Sequence, residues 1–200
     1  MAVLKPDVAV PKRAPLVILF AETRGFTRMS EILEPSVVLA RTSEFFALVA
    51  AAVERHEGAV RNMFNDTLAV TFAGASNARR AVQAAQEIQR DFGSLAEAWE
   101  RDYGIRAAAA IGLHCGEAVV GFAGGPLPGQ PLIIGDSVSV ADRLLHRARA
   151  GEYLLSQATM DALAADGFAL EAEELPPLLL PRRDSIRVYG VLLDTRLDFT

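Results

Sequence analysis

The sequence predicts an α+β domain built around one sheet. Three observations point there. Short apolar runs of strand length recur along the chain. Two long stretches carry apolar residues at helical spacing. Their order is strand, helix, two strands, helix, strand. The first strand is the apolar run Leu16 to Leu19. Pro35 then opens a helix to about Glu57, with Val38, Phe45, Phe46, Leu48, Val49 and Val53 on one face, and Gly58 ends it. Residues 58–74 read as a hairpin, with Asn65 and Asp66 as a tight turn where positive φ is tolerated. Asn77 to about Asp102 forms a second amphipathic helix through Val82, Ala85, Ile88, Phe92 and Leu95. Trp99 lies late in it as a packing residue.

Ile105 to His114 reads as a strand, followed by a turn at His114–Glu117 and a further strand to Ala123. Leu132 to Ile134 is another strand, Asp136 to Ala150 a helix, residues 152–156 a strand, and a short helix runs to about Ala165. Residues 171–183 read as a Pro-rich loop before a last strand at 185–193. The core pattern βαββαβ predicts a ferredoxin-like sheet with helices on one face and additional C-terminal strands and helices. Residues 1–14, with Pro6 and Pro11 and the cations Lys5, Lys12 and Arg13, form a lead-in or linker, and 15–200 form the domain, with 170–200 an appended loop and strand.

Composition narrows the function. Half the chain is apolar (51%), enough for a sizeable core. No apolar run approaches the ~18 residues of a membrane span, and no signal-peptide core is present. The single cysteine, Cys115, excludes an internal disulfide and fits a cytoplasmic protein. A net charge of −5 gives no electrostatic footprint for nucleic acid, and the aromatic motif of an RNA-reading sheet is absent.

Three segments carry chemistry: FAETRGFT (20–27), NMFNDTLAVTF (62–72) and LIIGDSVSVADRL (132–144). In the first, Glu22 sits at a strand end before a turn at Gly25 and Phe26, and Thr27 can cap the next segment. A carboxylate so placed is a common metal or metal–phosphate ligand. In order and spacing the three segments resemble the catalytic domain of the class III nucleotidyl cyclases, the adenylate and guanylate cyclases, over about Pro15 to Leu163.

The resemblance implies a cyclase palm, a nucleoside triphosphate substrate and two Mg²⁺ or Mn²⁺ ions held by two carboxylates. Here these are Glu22, where the family has Asp, and Asp66. Glutamate's extra methylene moves its carboxylate by about 1.5 Å, and a misplacement of ~1 Å can cost ~10²-fold in rate. The family reads the base with a Lys and an Asp or Thr, where this chain has Asn62 and Leu132. Phe26 and Thr27 are implied to line the substrate. On the last helix of the motif the family carries an Asn and, four residues later, an Arg. Arg143 is kept for phosphate charge, while Ser139 replaces the Asn that orients the ribose, and loss of one such donor costs ~10²–10³ in rate. Leu132 reads by itself as a core-packing strand residue.

The resemblance also implies a two-fold dimer, homotypic or heterotypic with another cyclase domain. Glu22 and Asp66 would come from one chain, and Asn62, Leu132, Ser139 and Arg143 from the other. The stretch Ala118–Ala123 and the Pro-stiffened arm 124–131 would meet the partner. His114 and Cys115 form no nucleophile site, because nothing in the sequence orients the histidine. His56 and His146 are isolated helix residues. With four of the six site positions changed, the expectation is a cyclase-type domain of weak or no activity, kept as a dimerising, regulatory nucleotide-binding module. The alternative is an active enzyme converting ATP, or less readily GTP, to the 3′,5′-cyclic monophosphate and pyrophosphate.

Overall fold

The computed structural model describes residues 11–122, 131–181 and 184–192. The arm at 124–130, most of the lead-in and the final eight residues lie outside them. Strand β1 (Lys12–Arg24) runs through the middle of the sheet. It is apolar on consecutive residues because both its faces are covered. Val17, Leu19 and Ala21 enter one core with Phe45, Val49, Ile88 and Phe92, while Leu16 and Ile18 enter another with Ala118, Val120 and Ala141. The strand begins at Lys12, so the end of the expected lead-in is already sheet.

Helix α1 (Phe26–Ile32) follows a left-handed Gly25 (φ 97°), where any Cβ would overlap the Arg106 carbonyl oxygen. Thr27 lies inside this helix, which has no side-chain cap, so its expected capping role is not realised. Helix α2 (Pro35–Arg55) stops where Glu57 turns left-handed (φ 56°) and Gly58 N–H bonds to the Val53 carbonyl at 2.8 Å. Gly58 serves close packing, since a Cβ there would lie 2.6 Å from the Phe72 ring. By length and composition α2 is apolar enough to cross a membrane, a property that core helices share. In this fold it buries Phe45, Val49, Ala52 and Val53.

Strands β2 (Ala59–Phe64) and β3 (Thr67–Phe72) form the expected hairpin, with Asn65 at φ 52°. Helix α3 (Asn77–Tyr103) returns to β4 (Ala108–Phe122). The order β2-β3-β1-β4, with β1 antiparallel to both neighbours, is the ferredoxin-like arrangement. Beyond β4 the sheet continues through β6 (Glu152–Ser156), β8 (Ile186–Leu192) and β7 (Glu173–Leu178), and β5 (Pro131–Ile134) pairs with the far end of β4.

Three further expectations change. The strand expected to break at His114–Glu117 is continuous. Gly116 is there because a Cβ would overlap Ser137 Oγ, not because the chain turns. Helix α4 (Asp136–Arg147) lies on the face opposite α2 and α3, so the helices are not all on one side. The Pro-rich segment forms β7, where Pro176 and Pro177 are tolerated on an edge strand whose register breaks between Leu175 and Leu178. Helix α5 (Gln157–Ala165) is capped by Ser156, whose hydroxyl accepts from Thr159 N–H.

Candidate active site

Glu22 lies two residues before the end of β1 and pairs across the sheet with Thr67, the first residue of β3. Asp66 is the residue before Thr67, so the β1–β3 register brings both carboxylate positions to one edge. Their charges interact. The Asp66 carboxyl is pushed above the usual carboxylate range, first by burial and further by the charge of Glu22. A hydrogen bond to its own backbone and the cation of Arg24 oppose the rise. Among the described residues no cluster of three or more metal-ligating side chains occurs. Two carboxylates nevertheless suit an ion that completes its shell with water and substrate phosphates, which is how Mg²⁺ is commonly held.

Arg24 belongs to this site, although the motifs in the sequence assign it no role. It sits two residues after Glu22 on the same strand face and forms an ion pair with the Glu22 carboxylate. Its other terminal nitrogen donates to the carbonyls of Leu145 (2.8 Å) and Ala148 (2.7 Å) at the end of α4. A cation there is favoured by the negative end of the helix dipole. The signal available in the sequence is the i, i+2 spacing of Glu22 and Arg24, which puts both on one face of a strand.

Asn62 is exposed on β2 beside a bulge between Val60 and Asn62, and its side-chain oxygen accepts from Met63 N–H at 2.9 Å. Leu132 stands opposite Gly121 on β5 and is 37% exposed, so the core-packing reading of that residue is wrong. Strands β2 and β5 touch, which brings the expected base-reading positions onto neighbouring elements. Met63, Phe64 (71% exposed) and Ile134 (63% exposed) add large apolar side chains at the surface of the same two strands.

On α4, Ser137, Val140, Ala141, Leu144 and Leu145 are buried, whereas Asp136, Ser139 and Arg143 are exposed. Ser139 and Arg143 are therefore one turn apart on the open side of the helix. Gly112 sets the depth of α4, since a Cβ there would overlap Leu145 N and Ala141 O. Phe26 is half-buried against the main core and Thr27 is exposed. Of the stretch expected to meet a partner, Ala118 and Val120 are consumed by the chain's own core.

His114 is oriented after all: its Nδ1 lies 2.8 Å from Ser156 Oγ in a buried network with Thr159. It still forms no dyad with Cys115. Neighbouring strand residues face opposite sides of the sheet. Cys115 packs against the α2–α3 core, where burial pushes its thiol pKa up.

The sheet order, with a carboxylate pair at the end of β1 and a polar face on α4, defines a ferredoxin-like domain. The model of the adenylate and guanylate cyclase catalytic domain matches residues 8–190, and the chain belongs to that family. It is 24% identical over 192 residues to an adenylate cyclase of Anabaena cylindrica, covering 92% of this chain but 38% of that protein's length. In structure it is similar to the adenylyl cyclase CyaB from P. aeruginosa, with a TM-score of 0.83 and 22% identity over 96% of this chain and 100% of that one. It is also similar to the guanylyl cyclase Cya2, with a TM-score of 0.78 and 23% identity over 94% of this chain and 97% of that one.

Proposed function

We propose that this cyclase domain is a dimerising, nucleotide-binding module whose own turnover is weak. The observation that carries the reading is the state of Glu22. It stands where the family has Asp and is already committed to an ion pair with Arg24. Glu22 and Asp66 would hold Mg²⁺ or Mn²⁺, which when bound supplies charge neutralisation at the triphosphate and lowers the pKa of the ribose hydroxyl. Arg143 would meet the phosphates, and Ser139 the ribose with a shorter reach than Asn. Asn62 retains a donor and an acceptor for a base, while Leu132 offers only an apolar contact. A base site that lacks one hydrogen-bonding partner discriminates poorly, so ATP and GTP should bind comparably.

Thermal unfolding with Mn²⁺ and a non-cyclisable ATP or GTP analogue tests nucleotide binding. A surviving site stabilises the fold by about 2.7 kcal/mol at a hundredfold excess over Kd, which reads as a raised Tm with either base. An unchanged Tm at millimolar analogue overturns the nucleotide-binding reading.

A further inference from the structure

Arg24 stands at the metal pair as a cation the chain supplies itself. A strand rises ~3.3 Å per residue, so Glu22 and Arg24 lie about 7 Å apart along one face, within the joint reach of their side chains. Aspartate at position 22 would draw the carboxylate back by about 1.5 Å and lengthen this contact. The guanidinium is also pinned from behind by the Leu145 and Ala148 carbonyls, so it is not a freely swinging surface arginine. The Glu22 side chain is only 12% exposed and that of Arg24 27%, and shielding from water strengthens such a charge-assisted bond. Glu22 and Asp66 together carry two negative charges, and Arg24 offsets one.

We infer that Arg24 is a resident counter-cation of Glu22 that competes with free divalent metal. The inference rests on the reading of Glu22 and Asp66 as the metal pair. A divalent ion reaching Glu22 alone must share the carboxylate with the guanidinium and sit beside its positive charge. An ion arriving with a triphosphate brings anionic oxygens that give Arg24 a new partner. The site therefore discriminates in favour of the metal–nucleotide complex over the bare metal, and Arg24 is the positioning residue responsible.

Mn²⁺ titration by calorimetry, without nucleotide, tests this on the full chain. Wild type should bind weakly, and Arg24→Gln should tighten binding by about tenfold or more, the scale of one hydrogen bond to a charged group. Combining Arg24→Gln with Asp66→Asn should abolish the gain. Because Arg24 also anchors the end of α4, melting curves accompany each variant. Should Arg24→Gln not fold, Arg24→Lys replaces it. A single ammonium does not reproduce the fork that spans Glu22 and the helix carbonyls, so an intermediate gain is expected. Unchanged or weaker Mn²⁺ binding in the folded variant overturns the inference. If wild type nevertheless binds Mn²⁺, the metal pair survives that result, and if neither protein binds it, the metal pair falls too.

Discussion

Asp66 carries a carboxyl whose surroundings disfavour its charge, burial first and Glu22 second. A group with a raised folded pKa stabilises the fold fully below its unfolded pKa and loses that contribution as pH rises through the folded value. In metal-free protein the loss begins near pH 3.8 and extends upward. Asp66→Asn, which keeps the turn after Asn65, should therefore raise Tm at pH 7 without metal, and the gain should vanish near pH 3. An equal gain at both pH values would show that charge is not the cause. At Glu22, replacement by Asp draws the carboxylate back by about 1.5 Å and loosens its pairing with Arg24. Calorimetry should then register tighter Mn²⁺ binding, and weaker binding would mean that the site is disabled elsewhere. The positions of Glu22, Asp66, Ser139 and Arg143 are legible in the sequence because motif order and spacing locate them. The partnership of Arg24 is not, since it depends on how close the end of α4 comes to β1. Leu132 misleads for a similar reason: an apolar residue in a short strand looks like core until the strand is found at the rim.

At the level of elements, the depth of α4 on the sheet depends on one missing methyl. Gly112→Ala forces a Cβ into the backbone of Ala141 and Leu145 and should cost about 1–3 kcal/mol. For a chain of this size that lowers Tm by roughly 2–4 °C per kcal/mol. Gly93, within α3, has nothing within 4 Å of its would-be Cβ. Gly93→Ala should raise stability by about 0.5–1 kcal/mol, so equal behaviour of the two variants would refute the packing argument. Helix periodicity and the Asn65–Asp66 turn make α2, α3 and the hairpin readable from sequence. Strand β4 reads as two strands because Gly116 looks like a turn residue, whereas the approach of Ser137 to the strand explains it. Strand β7 escapes the sequence because its two prolines argue against pairing everywhere except at an edge, and edges are decided by the rest of the fold.

For the whole molecule, the exposed apolar side chains of Met63, Phe64, Leu132 and Ile134 on β2 and β5 offer a two-fold partner a surface other than the one the sequence suggested. Association follows buried apolar area rather than ligating groups. Sedimentation should therefore give a dimer. Phe64→Glu and Ile134→Glu, which sit outside the core, should shift it to monomer with little change in Tm. A monomer at high micromolar concentration in wild type would leave only a heterotypic partner. The order of strands and helices along the chain carries the ferredoxin-like plan. The partner surface expected at Ala118–Ala123 is less legible, because Ala118 and Val120 pack inside the chain's own core. The proposed weak turnover is open to direct assay. The most direct measurement is cyclic-nucleotide production by the purified domain with Mn²⁺ across the four nucleoside triphosphates. Activity at or near background in wild type is expected, rising when Asp is restored at Glu22, Lys at Asn62, Asp at Leu132 and Asn at Ser139. Robust production of cyclic nucleotide by the unmodified chain would contradict it.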